Sequence, residues 1–227
     1  MNYFDAYMIA EKLWDEVAPA CERGPLHKAG GEILEDMEIC TIAGSLRRES
    51  AEVHDIEIVA KPRLNTPRAV FGDKAIYKTE FDKVLARLVD EGYIRFLMGG
   101  EKLKKYDIHL QAFGLPPALN VFKVEFYLCT PPAQYGVLLA IRTGPQNKQI
   151  RERNFSQYIV TPCRQGGALP DGYRVKHAAV WREEQLNEKD EPKKGEEPLS
   201  MPDEMDFFKF LGLPWVDPRD RVAKWKR

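Results

Sequence analysis

Asp55 and Glu57 stand two residues apart in an apolar run, 53–60. On a strand, residues at i and i+2 point to the same face. The spacing therefore predicts two carboxylates side by side, with Ile56 and Ile58 turned into a core. Two anions held that close repel unless a cation lies between them, and magnesium, a hard ion that prefers oxygen ligands, suits them. Glu125 is a third carboxylate, in the apolar strand 122–128 with Val124 and Phe126 as core neighbours. Three carboxylates on adjacent strands suit two magnesium ions about 3.5–4 Å apart, the arrangement that serves in-line displacement at phosphorus. Upstream, Gly44-Ser45-Leu46-Arg47-Arg48 offers a small-residue turn, a hydroxyl and two guanidinium groups. Such a turn exposes backbone N–H groups to phosphate, and arginines add charge-assisted bonds to its oxygens. Alone, an Asp-x-Glu on a strand is more often the solvent face of an alternating sheet. With that turn before it, a polyphosphate site is the better reading.

The elements that must position these residues follow from periodicity and turn chemistry. Ile9, Leu13 and Val17 recur at helical spacing over 5–18, and Pro19 stops that helix. A loop is expected at 24–31 and strands at 37–43 and 53–60. A helix follows over 78–91, with Phe81, Val84, Leu85 and Leu88 on one face, then a strand at 93–97 and a tight turn at Gly99-Gly100. Strands are expected at 106–112 and 122–129, separated by a turn-rich loop at 114–117. Beyond Pro131-Pro132 the pattern changes. A helix at 135–142 is broken by Thr143-Gly144-Pro145, and a second helix is expected at 147–159. A strand pair at 173–181, a mobile charged loop at 186–198 and a last helix at 203–211 complete the reading. The expected class is α+β. A mixed sheet flanked by helices occupies 1–133, and a small α/β unit with a basic C-terminal tail occupies 134–227.

At 227 residues the chain can form one large domain or two small ones. A net charge of -1 gives no global steering toward nucleic acid, but 183–206 is acidic and 219–227 is basic. Cys21, Cys40, Cys129 and Cys163 lack CxxC spacing, which argues against zinc and for reduced, mostly packed thiols. No signal peptide and no run of membrane-spanning length is present, so a soluble cytoplasmic protein is expected.

Several motifs in order resemble those of the polymerase beta-like, family X DNA polymerases. Gly44-Ser45-Leu46-Arg47-Arg48 followed by Asp55-Ile56-Glu57 resembles their nucleotidyltransferase signature. Gly100-Glu101-Lys102 is similar to the palm hairpin, and Val124-Glu125-Phe126 to the third acidic strand. Tyr135-Gly136-Val137 through Thr143-Gly144 resembles the helix leading to the family's Thr-Gly turn. Asn147 to Arg151 resembles its nucleotide-binding helix, and Leu211-Gly212-Leu213-Pro214 its C-terminal motif. The short arrangement is similar to phage and prophage members.

The resemblance implies a nucleotidyltransferase palm followed by a thumb. It also implies addition of dNMP to a DNA primer 3′-hydroxyl by a two-metal mechanism, in gap filling or repair. Asp55, Glu57 and Glu125 would be catalytic and would hold two Mg2+ ions, or Mn2+. Two of these three are glutamates where the family has aspartates. Gly44, Ser45, Arg48, Gly144 and Asn147 would bind the nucleotide; apart from the resemblance, Lys102, Lys104, Lys123 and Arg151 are candidate DNA contacts, with a solvated lysine cluster at 102–105 as the plain alternative. The implied protein is a monomer, in the host cytoplasm if phage-encoded. A nucleotidyltransferase with another acceptor, or a weakened DNA-binding relative, are the alternatives. His54 should point away from Asp55 and pack, and Trp215 and Trp225 should pack or anchor the tail. Arg219, Arg221, Lys224, Lys226 and Arg227 are candidates to reach DNA, as is Lys105 beside Lys104.

Overall fold

The computed structural model describes residues 1–27, 33–63, 69–71, 74–76, 79–116, 122–145 and 154–221. Helix α1 (Tyr3–Val17) starts where the Asn2 side chain accepts the Asp5 N–H, and it buries Ala6, Ile9, Ala10, Leu13 and Val17. A cap of this kind contributes about 1 kcal/mol. Strands β1 (Arg23–His27), β2 (Ile33–Glu38) and β3 (Cys40–Ile42) lead into α2, a single helical turn at Gly44–Arg47, and then β4 (Asp55–Ala60). A small hairpin, β5 (Ala69–Phe71) and β6 (Lys74–Ile76), precedes α3 (Glu80–Asp90). Thr79 and Asp82 form a reciprocal capping box at the start of α3. Strands β7 (Ile94–Gly99), β8 (Leu103–Ile108) and β9 (Phe122–Leu128) follow. The C-terminal part comprises α4 (Tyr135–Thr143), α5 (Phe155–Val160), β10 (Tyr173–Lys176), β11 (Ala179–Arg182) and α6 (Glu204–Phe210).

The fold is α+β. Five strands form a mixed sheet in the order β3-β4-β9-β8-β7. Only the β4–β9 pair is parallel; the other three pairs are antiparallel. Alternation along the strands gives the sheet two unlike faces. Ile56, Ile58, Val124 and Phe126 are fully buried and join α1 and α3 in one apolar cluster. The other face carries Asp55, Glu57, Lys123, Glu125, Lys105 and Asp107 in register. At its far end it turns apolar, where Val59, Tyr127 and Cys129 meet Tyr135, Leu138 and Leu139 of α4. A separate cluster holds residues from Val137 to Leu211, including Phe155, Phe207 and Phe208.

Several expected elements differ. The expected loop at 24–31 begins as β1, paired with β2 through a register shift between Gly24 and Leu26 that accommodates Pro25. The single strand expected at 37–43 is broken after Glu38. The strand expected at 106–112 starts earlier, at Leu103, and ends in a 3-10 turn, Leu110–Phe113. Lys104 and Lys105 disguise its start, yet each finds a carboxylate partner, Asp82 and Glu125. The helix expected over 147–159 does not run through. Asn154 is extended and caps α5, which begins at Phe155; 147–153 lie outside the described residues. The charged stretch 186–198 holds no helix or strand, but it is not loose chain. Asn187 Oδ1 accepts the Lys189 and Glu191 N–H groups, and Gln185 donates to Glu196 and to the Glu197 carbonyl.

Candidate active site

Glu57 and Glu125 are direct neighbours across the parallel β4–β9 pair, and Asp55 lies two residues along β4, opposite Lys123. All three carboxylates therefore share the polar face. Their charges act on one another unequally. Burial and the proximity of Asp55 push the Glu57 carboxyl up to about 7, with Glu125 adding to the rise and Arg142 and Arg48 opposing it. Burial likewise raises Asp55, with Glu125 adding to the rise and His54, Lys105 and Arg48 opposing it. A carboxylate that resists ionisation because other carboxylates face it is one that gains from a nearby cation.

Glu125 is the exception. Its carboxyl is held below the usual range despite burial. Lys105 Nζ lies 2.5 Å from Oε1, the Tyr127 hydroxyl donates to Oε2, and the Arg142 charge is close. The Arg142 guanidinium in turn stacks 3.8 Å above the Tyr127 ring. Glu125 thus has its own protein counter-ion while Asp55 and Glu57 share none so tightly. Among the described residues, no three His, Cys, Asp or Glu side chains are set together to hold a metal ion. The three expected carboxylates therefore share one face, and Lys105 and Tyr127 engage the third of them.

The turn before β4 is tied to it. Ala43 donates its N–H to the Glu57 carbonyl over 2.8 Å. Gly44 takes φ +62°, and a Cβ there would stand 2.2 Å from Glu57 Oε2. The absence of a side chain at Gly44 leaves room for the Glu57 carboxylate. The Ser45 hydroxyl is buried and has no hydrogen-bond partner among the described residues, as is true of Arg142 Nε. A buried, unpaired hydroxyl is a costly feature in a folded protein. Its position in this turn makes it a candidate ligand contact.

The two arginines divide. Arg48 donates to the Thr143 carbonyl over 2.8 Å, and its charge acts on Glu57 and Asp55. Arg47, expected at phosphate, is committed elsewhere. It bonds the Thr143 hydroxyl at 2.6 Å and pairs with both oxygens of Glu204 at 2.9–3.0 Å. Glu204 is itself buried and also takes Arg221 at 2.6 Å and the Trp215 indole N–H at 3.2 Å. Thr143, at the end of α4, thus joins the turn at Gly44–Arg47 to the C-terminal helices. A cleft of about 460 Å³ lies beside this network, lined by Trp14, Arg47, Glu49, Glu204 and Trp215 among others, and includes none of the three acids.

The remaining candidates are placed as follows. Lys123 is exposed on the acidic face beside Asp55, and Lys102 is exposed at the β7–β8 turn. Lys104 is not free for DNA, since it points to α3 and pairs with Asp82 at 2.9 Å. Gly144 serves packing, because a Cβ there would stand 2.1 Å from Ser156 Oγ. Arg221 is buried against Glu204 and cannot reach DNA, whereas exposed Arg219 pairs with Asp217. His54 is exposed at the bend before β4, next to Asp55, not packed. Cys21, Cys40 and Cys129 are buried free thiols and Cys163 is exposed. Asn147, Arg151, Lys224, Trp225, Lys226 and Arg227 lie outside the described residues.

Sequence reasoning missed the site roles of Lys105, Tyr127 and Arg142. Tyr127 was within reach, since the period-2 rule that aligns Lys123 with Glu125 also aligns Tyr127. Lys105 needs the β8–β9 register, and Arg142 needs the packing of α4 on the sheet; neither is local information. No protein-family model matches the chain, and no curated protein matches it. Among the described residues, no helix is long and apolar enough to cross a membrane.

Proposed function

We propose that the chain is a nucleotidyltransferase of the polymerase beta-like kind, adding deoxynucleotides to a DNA primer 3′-hydroxyl. The observation that carries this reading is the register of Glu57 against Glu125, with Asp55 on the same face and a buried, unpartnered Ser45 hydroxyl in the turn bonded to Glu57. The donor set fits divalent cations of the magnesium type. It is all oxygen and half-buried, and burial together with neighbouring carboxylates raises Asp55 and Glu57, two of its three members. Asp55, Glu57 and Glu125 would hold two Mg2+ or Mn2+ ions. Bound there, such ions neutralise the triphosphate and make the primer hydroxyl easier to ionise.

The chain's own residues supply the rest. Ser45 and Arg48 orient the departing polyphosphate, and Arg142 adds positive charge beside Glu57. Lys123 and Lys102, both exposed, contact the DNA backbone. Such a site works by positioning and by fixed charge rather than by covalent chemistry. DNA and dNTP are the partners on this reading, and the chain acts as a cytoplasmic monomer in gap filling or repair.

One observation favours a second reading. Glu125 is already engaged by Lys105 and Tyr127. A catalytically weakened relative that still binds DNA would tolerate that arrangement. Labelled dNTPs supplied with Mg2+ or Mn2+ to gapped DNA, primer-template, RNA and no acceptor separate these outcomes and an alternative acceptor. Asp55→Ala and Glu125→Gln should each abolish incorporation while circular dichroism stays unchanged. Near-normal turnover in either variant overturns the assignment of the acids.

A further inference from the structure

Lys105 faces the three acids from β8, the strand on the far side of Glu125 from β4, and it is directly cross-strand from Glu125. Its ammonium lies 2.5 Å from Glu125 Oε1, with the lysine side chain 27% and the glutamate side chain 11% exposed. The second carboxylate oxygen takes the Tyr127 hydroxyl, and Arg142 lies over the Tyr127 ring. Both oxygens of Glu125 are therefore used inside the protein. The adjacent Lys104 provides a contrast. It points to the opposite face and pairs with Asp82 of α3.

An ammonium group and a divalent cation compete for the same lone pairs. We propose that Lys105 is a positioning residue that holds Glu125 as a built-in counter-ion and releases it when a divalent cation binds with Asp55 and Glu57. The inference rests on the cation-binding reading given above. It goes beyond that reading in assigning to Lys105 the setting of cation affinity. With Glu125 released, the Lys105 ammonium remains on the polar face beside the site as a free donor. A lysine that merely stabilised the sheet would have no such link to cation binding.

The test is Mn2+ binding to the full chain, read from the loss of the free Mn2+ signal in electron paramagnetic resonance, with no nucleotide or DNA present. Lys105→Met removes the competitor and is expected to tighten Mn2+ binding about fivefold to tenfold, the scale of a half-buried ion pair. Lys105→Arg keeps the charge and should bind as the wild type does. Lys104→Met makes the same change in net charge on the other face and should also leave the affinity unchanged. Asp55→Asn should lose binding. Unchanged or weaker Mn2+ affinity in Lys105→Met, with Asp55→Asn still defective, overturns the role of Lys105 alone. Equal tightening in Lys104→Met also overturns it, because the effect would then be long-range charge. Wild-type protein that binds no Mn2+ removes the proposed function and this inference together. Should Lys105→Met fail to fold by circular dichroism, Lys105→Gln, which keeps a polar group in place, is read by the same criteria.

Discussion

Replacing Gly44 with alanine probes the geometry that joins the turn to the acids. Two separate costs follow from the structure. Gly44 has φ +62°, in the left-handed region, where a Cβ costs about 1–2 kcal/mol. That Cβ would also stand 2.2 Å from Glu57 Oε2 and 3.0 Å from its Cδ. The carboxylate is the far end of a flexible side chain, so it moves aside instead of forcing the backbone apart. Displacing it from its rotamer adds about 1 kcal/mol. The sum, about 2–3 kcal/mol, corresponds to a fall in melting temperature of roughly 4–12 °C for a chain of this size.

The two costs separate in a double-mutant cycle, measured by urea unfolding. In a Glu57→Ala background no carboxylate remains to collide with, so Gly44→Ala should cost only the backbone part. The coupling between the two positions is then about 1 kcal/mol. Function separates as well. Gly44→Ala leaves all three acids in the chain but moves Glu57, so metal-dependent incorporation should fall at least about tenfold. An identical cost for Gly44→Ala in both backgrounds would show that Glu57 does not occupy the space beneath the turn. A total cost below about 0.5 kcal/mol would contradict the left-handed backbone as well.

The other predictions test the charges. The carboxyl of Glu204, lowered to about 2 by Arg47 and Arg221 acting against burial, contributes stability that is complete above its unfolded value near 4.5. That contribution disappears as pH falls through about 2, so Glu204→Gln should lose about 3 kcal/mol at neutral pH and flatten acid unfolding between pH 4.5 and 2. Glu57 has the opposite sign. Its carboxyl is raised to about 7, so the cation-free protein loses stability as pH rises from about 4.5 through 7. Glu57→Gln should therefore be the more stable protein at pH 8 by on the order of 2 kcal/mol, the advantage vanishing near pH 4.5. Wild-type and Glu57→Gln melting curves with parallel pH dependence would refute that assignment.

The legible parts of the chain are those governed by short-range rules. Ile56 and Ile58 alternate with Asp55 and Glu57, and that alternation alone predicts which face is acidic. Phe81, Leu85 and Leu88 mark the buried side of α3, although its bounds shift by two residues at the start. What escaped is what depends on partners distant in sequence. Lys104 and Lys105 look like loop residues until Asp82 and Glu125 are known to flank them. Arg47 and Arg48 look equivalent, yet only contact with Glu204, 157 positions away, commits Arg47 to structure. Gly44 and Gly144 resemble ligand-binding glycines, but each makes room for a side chain of the protein itself, Glu57 and Ser156.

The same long-range contacts explain how the site is stable without a bound cation. Three carboxylates, Asp55, Glu57 and Glu125, face three permanent cations, Arg48, Lys105 and Arg142, whose charges act on them. The formal charge of that group is near zero, so folding does not leave an unbalanced cluster of anions half out of water. A triphosphate with two divalent ions is also close to neutral. On the proposed reading, substrate binding then exchanges one neutral arrangement for another. Glu125 turns from Lys105 to a bound ion, and the freed Lys105, with Arg48 and Arg142 close by, is left to act on the phosphate. Ser45 Oγ and Arg142 Nε, buried and without partners among the described residues, flank this exchange. An exchange of this kind also suits a glutamate at position 125. A side chain one methylene longer than aspartate reaches either a lysine on the neighbouring strand or a shared cation, which an aspartate at 125 would do less readily.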